Sequence, residues 1–153
     1  VGLYGTKTSQ EATNVMTEVV RAVKDYDSKI MTIACGYADY KTVGCVSPLE
    51  LPAVAYQAEA DGVLVDVKTK NGKDNLFSFL NDDELKVFVS QAHNNNLLAA
   101  LAGSLESKDI PRIHSLGPDI IGVRGAVCAK KDRVAGKLET EKVKEFAAEL
   151  ANL

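Results

Sequence analysis

The sequence predicts an α/β fold in which a parallel sheet is flanked by helices. Two observations carry this prediction. Short apolar runs typical of buried parallel strands alternate with segments whose apolar residues recur at helical spacing. Small or turn-forming residues follow most of these runs. The resulting order is a strand stub, four helix–strand pairs and a final helix, which fits both a doubly wound sheet and part of a (β/α)8 barrel.

The first half of the chain carries a local signal for each element. The stub is the apolar run at 1–5. Thr8 opens the first helix, because Glu11 three residues later completes a capping box. The first full strand is the run at 30–35, which is rich in apolar and β-branched residues. The next helix begins with Ser-Pro-Leu-Glu at 47–50, which combines a serine cap, a proline at the first helical position and a box glutamate.

The second half repeats the alternation with three more strands. Its elements, in order, are a strand at 62–65, a helix from Asn81 or Asp82, an apolar strand at 97–101, a short helix capped by Ser107, a strand at 119–123 and a terminal helix through Val143, Phe146, Ala147 and Leu150. Continuous apolar runs of this kind predict a parallel sheet with both faces covered.

Composition excludes several classes of protein. A net charge of -3 gives no reason to expect a nucleic-acid partner. No apolar run approaches the roughly 20 residues that span a membrane, and no signal peptide is evident. The three cysteines, Cys35, Cys45 and Cys128, lie far apart without metal-ligand spacing. They predict reduced thiols in a cytoplasmic protein and no zinc site.

The chain is short for a barrel. A complete barrel has eight strands and typically about 250 residues, whereas this chain of 153 residues has four full strands and a stub. We therefore expect a single partial domain, 1–153, that lacks N-terminal strands and begins at Val1 without a methionine. Unpaired sheet edges tend to pair with other chains, so we expect a homo-oligomer that covers them.

Charged residues follow the strand at 62–65. If the extended conformation persists, period-two alternation places Asp66, Lys68 and Lys70 on one face at the carboxyl end of this strand. Parallel α/β folds place their chemistry at that end. A lysine beside a carboxylate can transfer protons or form an imine with a carbonyl substrate. The alternative is a solvated strand end whose charges face water.

Two consecutive strand ends carry the signature of a phosphate site. Gly103 and Ser104 follow one strand, and Arg124 and Gly125 follow the next. Barrels that bind phosphorylated substrates commonly build the phosphate site from the loops after their last two strands. Glycine lets backbone N–H groups approach the anion, and arginine can bind it through two hydrogen bonds. Simple turns are the alternative.

Two other charged groups lie near these strand ends. Asp39 ends the first full strand. It can either face the site at the carboxyl ends of the strands or cap a loop. Lys130, Lys131 and Arg133 form a basic loop after the last strand. This loop can add positive charge near an anion, although such charge runs are usually only solvated.

Five motifs together give the chain a resemblance to a known family. They are 1–5 (Val-Gly-Leu-Tyr-Gly), 36–39 (Gly-Tyr-Ala-Asp), 66–73, 101–104 (Leu-Ala-Gly-Ser) and 122–126 (Gly-Val-Arg-Gly-Ala). In this order the sequence resembles the (5-formylfuran-3-yl)methyl phosphate synthases of methanofuran biosynthesis. The resemblance implies the C-terminal portion, strands 4–8, of a (β/α)8 barrel. It also implies an enzyme without metal or organic cofactor that condenses two glyceraldehyde 3-phosphates into a phosphorylated furan aldehyde.

The resemblance also implies roles for particular residues. Asp66 and Lys70 match the family's active-site aspartate and lysine, with Lys70 transferring protons or polarising a carbonyl. Lys68 stands where the family has a small residue, so it can compete with Lys70 for this role. Barrel geometry assigns the substrate phosphate to Gly103, Ser104, Arg124 and Gly125.

Two departures from the family pattern qualify these implications. Lys130 and Lys131 replace a Gly-Gly-type stretch, so the shape of that loop does not follow from the resemblance. The family's imine-forming lysine and a further catalytic lysine have no counterpart in this chain, so the resemblance implies that the chain alone is inactive.

Other functions remain open at this point. Another class I aldolase, or a phosphosugar decarboxylase on a barrel, would use Asp66-Val67-Lys68 as an Asp-x-Lys element. A non-catalytic module that binds phosphate or drives oligomerisation is a third possibility. The synthase and the Asp-x-Lys enzymes differ in which lysine, Lys70 or Lys68, faces the barrel mouth beside Asp66.

Overall fold

A computed structural model describes all residues, 1–153. Four strands form one sheet, namely β1 (Ile33–Tyr37), β2 (Gly62–Asp66), β3 (Leu98–Ala102) and β4 (Ile120–Gly122). Their spatial order is β1-β2-β3-β4, and every neighbouring pair is parallel. The predicted parallel sheet is confirmed. Its order never reverses, whereas a doubly wound sheet has a point where it does.

The stub pairs with the free edge of β1. Gly2 forms a parallel bridge with Cys35. The N–H of Leu3 donates to the carbonyl of Cys35 at 2.9 Å, and the N–H of Cys35 donates to the carbonyl of Val1 at 2.8 Å. The stub therefore occupies the position of a further strand, as the sequence predicts.

Six α-helices accompany the sheet. They are α1 (Ser9–Tyr26), α2 (Tyr40–Val43), α3 (Leu51–Gln57), α4 (Asp82–Asn94), α5 (Ile110–His114) and α6 (Thr140–Ala151). Of these, the one-turn helix α2 was not predicted. None of the helices is long and apolar enough to cross a membrane.

Side-chain caps mark the starts of α1 and α4. The hydroxyl of Thr8 accepts a hydrogen bond from the Glu11 N–H, and Asn81 forms a reciprocal capping box at the start of α4. Both predicted starts are confirmed. The prediction that Ser107 caps a helix is wrong by one residue. Glu106 occupies the cap, and its N–H donates to the Asp109 carboxylate at 2.9 Å.

The strand boundaries differ from the predicted ones. β1 begins at Ile33 and not at Ile30, and it continues to Tyr37. β4 has only three residues. Strand ends depend on which neighbouring strand supplies hydrogen bonds, a pairing that a run of apolar residues cannot specify.

The core lies on one face of the sheet. The sheet contributes mainly Ala34, Val63, Val65, Ala99 and Leu101, and helices α1, α3 and α4 contribute Met16, Val54, Ala55, Leu85 and Phe88. All of these side chains are buried. They form a single cluster, so the helices of the first two-thirds of the chain pack on the same side.

The opposite face is only partly covered. Cys35 and Leu64 are register partners on this face and are half-buried, while Ile120 is 46% exposed. The expectation that both faces are covered is therefore wrong for these residues, because the helices of this chain pack on the other side. Self-association over the open edges stays a prediction.

Phe88 tests this description of the core. It is fully buried between α4 and the sheet. We expect Phe88→Ala to lower the free energy of unfolding by about 3–5 kcal/mol, because it removes buried apolar surface and leaves a cavity. Val87→Ala is the matched control, since Val87 is 48% exposed. Urea denaturation measures both variants, and equal losses would contradict the assigned core.

Candidate active site at the carboxyl ends of the strands

A cavity of about 810 Å³ opens at the carboxyl ends of β2, β3 and β4. Three loops form its wall, and each loop follows one of these strands. The parallel arrangement brings the strand ends to one edge of the sheet, so residues far apart in sequence meet here. Among the cavity-lining residues are Asp66, Lys70, Gly103, Ser104, Arg124 and Gly125.

Asp66 and Lys70 form an ion pair in this cavity. The Nζ of Lys70 lies 2.6 Å from Oδ1 of Asp66, and the two side chains are 22% and 33% exposed. The same carboxylate oxygen accepts a hydrogen bond from the Val67 N–H at 2.7 Å. A charged hydrogen bond of this length, partly shielded from water, orders both side chains. The pair can exchange a proton with a ligand in the cavity.

The path of the chain after β2 is set by Asp39. Its carboxylate is 2% exposed and accepts hydrogen bonds from the N–H groups of Lys68 and Thr69, both at 2.8 Å. Burial opposes ionisation of this carboxyl, but the two backbone hydrogen bonds outweigh it and lower the pKa of Asp39. Asp39 therefore caps the loop that carries Lys70, and it does not line the cavity.

Lys68 lies elsewhere. Its Nζ is 4.7 Å from the ring centroid of Tyr4 and 5.7 Å from that of Tyr37, an arrangement typical of cation–π contacts. It is not among the residues that line the cavity. The expectation that Asp66, Lys68 and Lys70 share one face is wrong, because β2 ends at Asp66 and the chain then bends. Lys70, and not Lys68, faces Asp66.

Residues with unpaired backbone donors also line the cavity. The N–H groups of Ser104, Leu105 and Arg124 donate to no acceptor within the protein. Gly103 has a φ of 122°, and a Cβ there would lie 2.8 Å from the Val67 side chain. The backbone can turn toward the cavity at this point because Gly103 has no side chain.

The cavity carries an excess of positive charge. Six cationic side chains line it, namely Lys70, Lys73, Lys108, Arg124, Lys131 and Arg133. Four carboxylates do so, namely Asp66, Asp74, Glu106 and Asp132. Lys73, Arg124 and Arg133 have no carboxylate within 4 Å. Such a cavity favours an anionic ligand.

Sequence reasoning missed part of this wall. Lys73, Lys108 and Glu106 line the cavity although none was a candidate. Lys73 lies within the motif at 66–73, so its position was a usable signal. Glu106 and Lys108 gave no local signal, because their place depends on how the loop after β3 turns.

Cys35 is not a nucleophile in this arrangement. It lies on the same sheet face as Asp66, two residues before Tyr37, the register partner of Asp66. Burial, and to a smaller extent the negative charge of Asp66, raises the pKa of the Cys35 thiol to about 11. The thiol is therefore neutral at pH 7, whereas the nucleophilic form is the thiolate.

Comparison with known proteins identifies relatives. The sequence matches the family described as 4-HFC-P synthase over residues 1–147. It is 46% identical over 151 residues to a (5-formylfuran-3-yl)methyl phosphate synthase of Methanopyrus kandleri, with 99% of this chain and 63% of that protein aligned. The corresponding enzyme of Methanosarcina acetivorans is 46% identical over 97% of this chain and 62% of its own length. The chain thus spans less than two-thirds of these relatives.

A further relative and a solved structure extend the comparison. A protein of Streptomyces griseus, described as a putative (5-formylfuran-3-yl)methyl phosphate synthase, is 45% identical over 98% of this chain and 60% of its own length. The crystal structure of phosphoribosyl anthranilate isomerase from Thermus thermophilus aligns with 99% of this chain and 86% of its own, with a TM-score of 0.47 and 13% identity.

The role of Asp39 gives a prediction about acid stability. Because its pKa is lower in the folded protein, its contribution is present above the unfolded pKa of about 3.9 and is lost as the pH falls through the folded value. We expect Asp39→Asn to cost about 1–3 kcal/mol at pH 7, since an amide offers one acceptor oxygen in place of two. The variant should also lose less stability than the unchanged protein below pH 4.

The measurement is the free energy of unfolding from urea titrations at several pH values. Asp25→Asn is the matched control, because Asp25 is exposed on α1 and makes no hydrogen bond through its side chain. Parallel pH profiles for Asp39→Asn and the unchanged protein would contradict the assigned role.

Proposed function

The chain belongs to the 4-HFC-P synthase family, and we propose that the protein is a (5-formylfuran-3-yl)methyl phosphate synthase. It condenses two molecules of glyceraldehyde 3-phosphate into a phosphorylated furan aldehyde for methanofuran biosynthesis, with loss of one phosphate and water. The observation that carries this proposal is the Asp66–Lys70 pair, which shares a positively charged cavity with residues whose N–H donors are unpaired.

The substrate has a phosphate and a carbonyl group, and the cavity offers a place for each. The phosphate lies against the loop residues Gly103 and Ser104 and against Arg124 and Gly125, where backbone N–H groups are free to donate. A guanidinium without a carboxylate partner adds two well-oriented donors. The carbonyl end then extends toward Lys70 and Asp66.

Lys70 supplies and removes protons in this proposal. Condensation of two aldehydes followed by loss of water and phosphate requires proton transfers to and from oxygen and carbon. The Lys70 ammonium, held 2.6 Å from Asp66, donates a proton to carbonyl or leaving oxygens. Asp66 keeps that ammonium in place and accepts a proton in return. The pair thereby serves as acid and base within one hydrogen bond.

We further propose that the sheet forms strands 4–8 of a (β/α)8 barrel. Three observations support this: the strand order is sequential, helices α1, α3 and α4 pack on one face, and the cavity lies at the carboxyl ends. The partly covered face would then be the inner surface of the barrel. The stub supplies the first of these five strands.

The alternative enzyme fits the geometry less well. An aldolase or decarboxylase with an Asp-x-Lys element needs Lys68 beside Asp66, but Lys68 lies over Tyr4 and Tyr37. A non-catalytic phosphate-binding module would explain the N–H donors and the cations. It would leave the partly buried Asp66–Lys70 contact without a purpose.

Substitution of the two lysines tests the proposal. We expect Lys70→Ala to lower kcat at least ~100-fold, because general acid–base catalysis typically contributes that much. Lys68→Ala is the matched control and should leave kcat near that of the unchanged protein. The variants are made in the parent-length protein, because the resemblance implies that this chain alone is inactive. The measurement is formation of the furan aldehyde from glyceraldehyde 3-phosphate, followed by ultraviolet absorbance and confirmed by mass spectrometry.

Each contrary outcome points to a different function. A large loss in Lys68→Ala alone would favour the Asp-x-Lys enzymes. Phosphate binding by the unchanged parent-length protein without any furan product would favour the binding module.

A further inference from the structure

Lys130 and Lys131 have an unusual backbone conformation. Both lie in the left-handed region, with φ of 55° and 56°. Residues other than glycine, asparagine and aspartate rarely adopt this region, because their Cβ atom approaches the neighbouring carbonyl oxygen. Two consecutive lysines there are a strained segment. Such strain concentrates at ligand-binding sites, where the surrounding structure enforces it.

The surroundings enforce the conformation from both sides. The N–H of Ala129 donates to the carbonyl of Lys137, and the N–H of Glu139 donates to the carbonyl of Val127, at 2.9 and 3.0 Å. The carboxylate of Asp132 accepts hydrogen bonds from the two N–H groups that follow Arg133. These contacts close the loop at its base and at its far end, so the two lysines cannot relax independently.

The strained backbone directs one of the two side chains into the cavity. Lys131 lines the cavity and Lys130 does not. The Nζ of Lys131 lies 3.0 Å from Oε2 of Glu106, which belongs to the loop after β3. This hydrogen bond, more than any other contact, lowers the pKa of Glu106, which favours the carboxylate form that accepts it. An ammonium group has three donors, and Glu106 uses one of them.

The segment also lies against the residues that we propose bind phosphate. A Cβ built at Gly125 would be 3.6 Å from the Lys131 carbonyl oxygen and 3.9 Å from Cβ of Arg133. The basic loop therefore folds back over the end of β4. Its ammonium group shares the cavity with Ser104 and Arg124.

We propose that Lys131 is a further binding residue for the phosphate group of a small phosphate monoester in this cavity. In the absence of ligand Glu106 holds the ammonium at the cavity mouth, and when ligand is present the remaining donors of Lys131 bind the phosphate. The proposal rests on the proposed function for the nature of the ligand. It goes beyond that function by assigning a role to a loop that would otherwise be only solvated.

A matched pair of glycine variants tests this assignment. Lys130→Gly and Lys131→Gly both relieve a left-handed φ, so both should raise the Tm by similar amounts. Only Lys131→Gly removes an ammonium from the cavity. We expect it to raise the Kd for inorganic phosphate about tenfold, as one charged hydrogen bond would. Lys130→Gly should leave that Kd unchanged.

Isothermal titration of the natural protein and both variants with inorganic phosphate gives these constants. Equal Kd values for all three proteins would overturn the role of Lys131 and leave the synthase proposal intact. An equal loss in both variants would also overturn it, because the backbone and not the ammonium would then matter. If the natural protein bound no phosphate, the anion site of the proposed function would fail together with this inference.

Discussion

The buried carboxylate of Asp39 determines where the reactive groups of this protein lie. It accepts hydrogen bonds from two consecutive N–H groups, those of Lys68 and Thr69, directly after β2 has ended. These bonds bend the chain, so Lys68 departs toward the tyrosines of the stub and β1 while Lys70 returns to Asp66. An uncompensated buried charge would be costly, and so this conformation is strongly favoured over an extended one.

The sheet brings the Asp66–Lys70 pair to the same edge as the later loops. Sequential parallel pairing places the ends of β2, β3 and β4 side by side, so the Asp66–Lys70 pair faces the N–H donors of the later loops. Backbone donors are positioned by the fold itself and lose little conformational freedom when an anion binds. Lysine side chains are flexible, and the ion pairs of Lys70 with Asp66 and of Lys131 with Glu106 restrain them before ligand arrives.

The sequence predicted the structural features that depend only on residues close together in the chain. The caps at Thr8 and Asn81 and the alternation of apolar runs gave the helices and the parallel sheet, because capping and burial act over a few residues. The position of Lys68 was mispredicted, since it depends on Asp39, 29 positions earlier in the chain. The left-handed conformation of Lys130 and Lys131 was not predicted, because lysine disfavours it; the one signal was that these lysines replace a Gly-Gly-type stretch in the family pattern.

The loop that carries Lys68 and Lys70 and the loop that carries Lys130 and Lys131 are held in place in the same way. After β2, a buried carboxylate binds the backbone and fixes the loop; after β4, hydrogen bonds at the base and a carboxylate turn at the tip do the same. In both places the loop becomes ordered when the protein folds. Ligand binding therefore does not have to supply the free energy of ordering it. An anionic ligand then meets donors that are already oriented, and the unpaired Arg124 and Arg133 add long-range attraction. Both loops therefore matter through the rigidity of their backbones, to which the charge of their side chains is added.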